Sequence, residues 1–148
     1  DEPFYYRVRG PPERSPLIRW QLHRIMYRLG LPRHSVNLCT EPIGEGTPYI
    51  TFENNMYNYI YSERGYEFSR RVTKSLDELL YWIMSELAHK AAFQYELDHR
   101  VEGRDGRRIA FPKFIELMAN MNSAWESEAR HEIQKILAES PYDDSLYT

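Results

Sequence analysis

The sequence predicts an α+β fold: an N-terminal helix, a three-stranded antiparallel β-meander, then a long C-terminal α-hairpin packed on one sheet face. Three observations carry that expectation. Apolar residues between Ser75 and Arg100 recur in steps of three and four, the helical period. From Tyr49 the period falls to two, the period of a strand. Turn-forming residues interrupt the alternating part twice within a short span, which favours strands that are sequential neighbours.

The chain is expected to form a single domain over 1–148, a size that can bury a core without covalent staples. Residues 1–14 hold Pro3, Gly10, Pro11 and Pro12 among charges and read as an extended lead-in. The chain opens at Asp1 without Met, which leaves room for residues upstream. Ser15-Pro16 then looks like an N-cap followed by proline at the first helical position. The helix over 15–29 presents Ile18, Leu22, Ile25, Met26 and Leu29 on one stripe and ends at Gly30 in a C′ position. Arg19, His23, Arg24 and Arg28 line its polar side, which reads as a solvated face.

Leu31 to Pro48 is a proline- and glycine-rich connector with room for a short strand near Val36–Cys39. The sheet is expected over 49–73. Ile50 and Phe52 alternate with Tyr49 and Thr51, and Asn54-Asn55 suits a hairpin turn. The second strand sets Tyr57, Tyr59 and Tyr61 against Met56, Asn58 and Ile60 on the other face. Glu63-Arg64-Gly65 turns the chain again, and Tyr66, Phe68 and Val72 are expected to share one face of a third strand.

The helical hairpin is expected over 75–139. Its first helix starts with a Ser75-x-x-Glu78 capping box and carries Leu76, Leu79, Leu80, Ile83, Met84, Leu87, Ala88, Ala91 and Tyr95 on one stripe. A charged turn at 101–108 follows. Pro112 then opens the second helix at its first position, with Phe114, Leu117, Met118, Met121, Trp125, Ala129, Ile133, Ile136 and Leu137 inward. Asn120 to Ser123 is weak in helix propensity and marks a place to kink or divide. The tail Pro141-Tyr142-Asp143-Asp144 reads as exposed and acidic.

Composition narrows function. The net charge of −3 provides no general attraction to nucleic acid or to a membrane surface. The single cysteine excludes an internal disulfide, and with no signal-peptide pattern or long apolar run a cytoplasmic protein is expected. Twelve tyrosines suit sheet faces and protein interfaces, because each ring joins an apolar body to a polar tip.

Catalytic signals are weak. The three Glu-x-x-His pairs Glu86/His89, Glu96/His99 and Glu128/His131 have the spacing used in di-metal bundles, but the further inward carboxylates such a site needs are not evident. They read as surface or edge histidines, with His99 near the negative pole of its helix. Arg64-Gly65-Tyr66-Glu67-Phe68 partly matches an RNA-recognition strand. Glu67 would repel phosphate there, so the reading is a turn with Gly65 at positive φ and Phe68 packed on a helix. No nucleophile motif or phosphate loop occurs, and Cys39 reads as a small buried hydrophobe. No catalytic residue, cofactor or metal ligand is assigned. Tyr95, Glu96, Asp98, Arg100, Asp105, Arg107 and Arg108 cluster around the hairpin turn and read as an ion-pair network holding it against the sheet edge. Arg107 is also placed to meet a partner.

Several short motifs occur in an order that carries a resemblance. These are Tyr61-Ser62-Glu63-Arg64-Gly65, Leu79-Leu80-Tyr81-Trp82, Tyr95-Glu96 with Arg100, Asp105-x-Arg107-Arg108-x-x-Phe111, Trp125, and Pro141-Tyr142. Over Tyr57 to Asp144 the chain resembles immunity proteins of bacterial polymorphic toxin systems, the family labelled immunity protein sixty-three. The resemblance implies a small cytoplasmic, non-enzymatic protein that binds a cognate protein toxin and neutralises it. On that reading Tyr57, Tyr59 and Tyr61 are expected to face outward as aromatic anchors, and Asp143 and Asp144 to complement a basic nuclease. The rival readings are a metal-dependent helical enzyme using the Glu-x-x-His pairs and a sheet-face RNA-binding module.

Overall fold

Turn chemistry fixes the middle of the chain, and the computed structural model shows it acting twice. The model describes residues 14–32 and 48–147. The expected lead-in and the possible strand near Val36–Cys39, with Cys39 itself, lie outside the described residues. The strands β1 (Tyr49–Glu53), β2 (Met56–Glu63) and β3 (Tyr66–Thr73) form one antiparallel sheet in the order β1-β2-β3, the predicted meander. Glu53 pairs with Met56 across Asn54-Asn55, whose φ values are 53° and 61°. Glu63 pairs with Tyr66 across Arg64-Gly65, at 53° and 80°. Positive φ at both central residues gives a type I′ turn, whose twist matches the strands it joins.

The register departs from expectation in β3. Tyr61 pairs with Ser69 but Ser62 pairs with Glu67, so one residue of β3 is extra and the strand carries a bulge. That insertion reverses the parity of everything after it. Tyr66 and Phe68 lie together, with ring centroids 5.2 Å apart, whereas Val72 pairs with Asn58 and falls on the opposite face.

Helix α1 (Arg14–Arg28) begins a residue before the predicted cap, so Pro16 is third, not first. It buries Ile18, Leu22, Ile25 and Met26 as its spacing requires. Leu31 N–H donates to the Met26 carbonyl and Gly30 N–H to the Tyr27 carbonyl, with Gly30 at φ +70°, the Schellman termination that a C′ glycine permits. Helix α2 (Leu76–Asp98) is capped by Ser75, whose hydroxyl accepts from Glu78 N–H at 3.1 Å. The other half of the expected box is replaced: Ser75 N–H donates to Thr73 Oγ1 at 3.0 Å.

The chain divides into two units, Asp1–Ile83 and Met84–Thr148, with α2 continuing from one into the other. In the first unit, Trp82 of α2 stacks on Tyr59, so the start of α2 covers the tyrosine face of the sheet. In the second, the stripe from Asn120 divides as anticipated into α3 (Arg107–Met121) and α4 (Trp125–Glu139), because Asn122 leaves the helical region at φ −160°. The unit buries Met84, Ala88 and Ala92 from α2, Ala110, Phe111, Phe114, Met118 and Met121 from α3, and Trp125, Ala129 and Ile133 from α4. Pro112 is not the first residue of α3; it lies inside the helix, which starts at Arg107. The Asp105 carboxylate accepts the Arg107 N–H at 3.0 Å, and Ala110 N–H reaches the Gly106 carbonyl, so the first turn is stabilised upstream of the proline. Among the described residues no helix is long and apolar enough to cross a membrane.

Candidate functional site

Two groups of side chains stand out, one in each unit. The first is the surface of β3. Every residue from Tyr66 to Val72 is exposed, and the rings of Tyr66 and Phe68 are 66% and 59% exposed. Isolated exposed rings are ordinary, but an edge-to-face pair on an edge strand is a preformed aromatic patch. Phe68 is therefore not the helix-packed core residue expected of it. The same strand carries two arginines. Arg71 lies over the Trp82 ring at 5.4 Å, and Arg70 grips Glu67 through two bonds of 2.9 and 2.8 Å while reaching Asn58 Oδ1 at 3.3 Å. The Arg70 guanidinium holds the Glu67 carboxyl below its ordinary value, and Glu67 raises Arg70 in return.

The tyrosines chosen from the sequence sit elsewhere. Tyr57 and Tyr59 are buried at 2% and 1% exposure, packed on Phe52 and Trp82, and Tyr61 is half-buried against Tyr59. The expectation of an outward tyrosine face is thus corrected: β2 is the central strand and is covered on both faces. What alternation could not reveal, charge placement could. β3 has Glu67 and Arg70 on one face and Arg71 on the other, so neither face suits burial, whereas β2 carries a charge only at its end.

The second group joins the 99–106 turn to the C-terminal tail. Asp105 is 2% exposed and receives Arg107 Nη2 at 2.8 Å, Arg107 Nε at 3.2 Å, and the backbone N–H groups of Arg107 and Asp143 at 3.0 Å each. The Arg107 guanidinium, helped by those N–H groups, holds the Asp105 carboxyl far below the usual carboxylate range. Arg107 spends its remaining donors on the carbonyls of Ser140 and Pro141 at 2.9 and 2.8 Å. Asp144 accepts the Asp105 N–H at 2.8 Å and Arg108 Nε at 2.9 Å, and its carboxyl is lowered chiefly by Arg108. Arg108 also lies over Tyr142 at 4.6 Å, and burial raises the Tyr142 phenol. Asp143 is exposed, with its carboxylate held by Ser145.

The predicted ion-pair network therefore exists, but its counterpart is the tail. Arg107 and Asp144 are committed to internal contacts, and the acidic tail is pinned through 141–144. Every carboxylate at its centre faces a guanidinium or an N–H, an arrangement that fixes the turn. A hollow beside it is lined in part by Arg100, Glu102, Arg104 and Tyr147.

Glu96 belongs to the same turn. It is buried and receives Arg100 through bonds of 2.9 and 3.1 Å. A Cβ on Gly106 would stand 2.7 Å from the Glu96 carboxyl carbon. Gly106→Ala is expected to displace that carboxylate and cost about 1 kcal/mol, readable by urea denaturation.

In two of the three Glu-x-x-His pairs the histidine is engaged elsewhere. His89 bonds Glu132 at 2.7 Å and stacks on Phe114, and His99 Nδ1 bonds the Tyr95 carbonyl at 2.9 Å. Among the described residues no group of three or more His, Cys, Asp or Glu side chains is placed to hold a metal ion.

A family model described as Immunity protein 63 matches residues 53–135, from the end of β1 through most of α4. No curated protein and no solved structure matches the chain. The matched interval takes in the whole of β2, β3, α2 and α3 and is more than half of the 148 residues, so the chain belongs to the Immunity protein 63 family.

Proposed function

We propose that this protein is a cytoplasmic, non-enzymatic immunity protein that binds a cognate bacterial toxin and neutralises it by occluding the toxin's working surface. The family match over 53–135 is the observation that carries the reading. The exposed Tyr66–Phe68 pair and the charged residues of the same strand support binding through β3, since tight inhibitors rely on aromatic anchors inside a charged rim. The tyrosines of β2 then act from the neighbouring strand, helping to hold the one that carries the anchors. In the second unit Arg107 and Asp144 keep the tail in place.

The test is capture followed by rescue. The tagged chain is expected to retain one stoichiometric partner with a toxic domain, and its co-expression to restore growth to cells producing that domain. Growth arrest unchanged by the chain would refute the reading. The same rings favour one second reading, stacking of single-stranded RNA on β3. Titration with an RNA oligonucleotide at two salt concentrations separates them, since phosphate contacts impose a steep salt dependence.

A further inference from the structure

The free edge of β3 bears on how the toxin is held, an inference that rests on the toxin-binding reading above. A two-residue hairpin closes on a pair that exchanges both backbone bonds, here Glu63 and Tyr66. Pairing alternates from there. Allowing for the bulge, Arg71 and Thr73 direct their N–H and C=O groups to β2, while Glu67, Arg70 and Val72 direct theirs to the outer edge. Among the described residues nothing pairs with that edge, and the strand is exposed from Tyr66 to Val72.

Open edges invite pairing, and charge decides with what. Residues 64–74 hold four cations (Arg64, Arg70, Arg71, Lys74) and one carboxylate (Glu67), a net of +3 within a chain whose total is −3. A second copy of β3 would set like charge against like charge, so self-pairing is opposed. An acidic strand meets the opposite field.

We propose that β3 receives an extended acidic segment of the toxin as a fourth strand. Backbone bonds form at Glu67, Arg70 and Val72, carboxylates of the segment lie near Arg64, Arg71 and Lys74, and Tyr66 and Phe68 cover its apolar side chains. Backbone addition supplies affinity, and the charge pattern and ring pair supply selectivity.

The probe is the toxin domain that the tagged chain captures, expressed and purified on its own, and titrated against the full 148-residue chain. Val72→Pro removes an outward N–H and leaves the bonds to β2, a position where an edge strand tolerates proline. It is expected to weaken binding about 30-fold, with Val72→Thr within about threefold of the parent. Amide exchange at Glu67, Arg70 and Val72 should slow about tenfold or more in the complex, and change less at Arg71 and Thr73. Undiminished binding by a folded Val72→Pro, or unchanged exchange at those three amides, overturns strand addition while the toxin-binding reading stands. If Val72→Pro fails to fold, exchange in the parent decides alone. Absence of any binding by the parent removes the toxin-binding reading and this inference with it.

Discussion

Asp105→Ala is expected to destabilise the unit formed by residues 84–148 by about 3 kcal/mol, the lower end of the range for removing one partner of a buried pair. The lower end applies because the Arg107 side chain keeps 21% of its exposure and can be partly rehydrated. The loss is large because one carboxylate serves three tasks: it neutralises Arg107, holds the first N–H of α3, and anchors Asp143. The pH dependence follows from the lowered carboxyl. Unfolded, Asp105 takes up a proton near pH 4; folded, it stays ionised well below that. The unfolded chain therefore binds more protons in acid, and protonation favours unfolding. The contribution of Asp105 is complete above about pH 5 and falls progressively as pH drops below about 4, towards its folded value. Urea denaturation from pH 7 to pH 3 should show a shallower decline in Asp105→Asn than in the parent. Equal acid slopes would show that the carboxylate does not hold the turn.

The second large effect concerns binding. Replacing Tyr66 and Phe68 together by alanine is expected to weaken the complex with the toxin about 100-fold, or about 3 kcal/mol, as for paired hot-spot aromatics. Both rings are exposed and contact each other, so the same change should leave the unfolding midpoint nearly unmoved. Tyr57→Ala and Tyr59→Ala should do the reverse. Those rings are buried, and their loss opens cavities in the sheet's packing before it affects any partner. Calorimetric titration beside thermal unfolding separates the two classes. A double variant that unfolds early yet binds normally would place the rings in the core after all.

The elements that could be read from the sequence are those decided within a few residues. Positive φ at Asn54-Asn55 and Arg64-Gly65 set both hairpins, Gly30 ended α1, Ser75 capped α2, and Asn122 divided α3 from α4. Each is a local bargain between one side chain and its own backbone. What could not be read was decided at a distance. The bulge beside Phe68 leaves no signature in hydrophobic alternation, yet it reverses the faces of Arg70 to Thr73. The start of α3 depends on Asp105, whose other bonds reach Asp143 and, through Arg107, Ser140 and Pro141. The preference of proline for a first helical position therefore put the start at Pro112. The exposure of β3 was missed for a related reason. Alternation in β2 suggested one open face, whereas a central strand is covered twice and exposure passes to its neighbour at the edge.

The central claim is that this chain disarms a toxin by physical occupation. Its most direct test is the residual activity of the purified toxin domain as the full chain is added in increasing ratio. Activity is expected to fall linearly to background at one equivalent, with the Tyr66 and Phe68 double variant requiring a large excess. Full activity retained at several equivalents of the parent chain would contradict it.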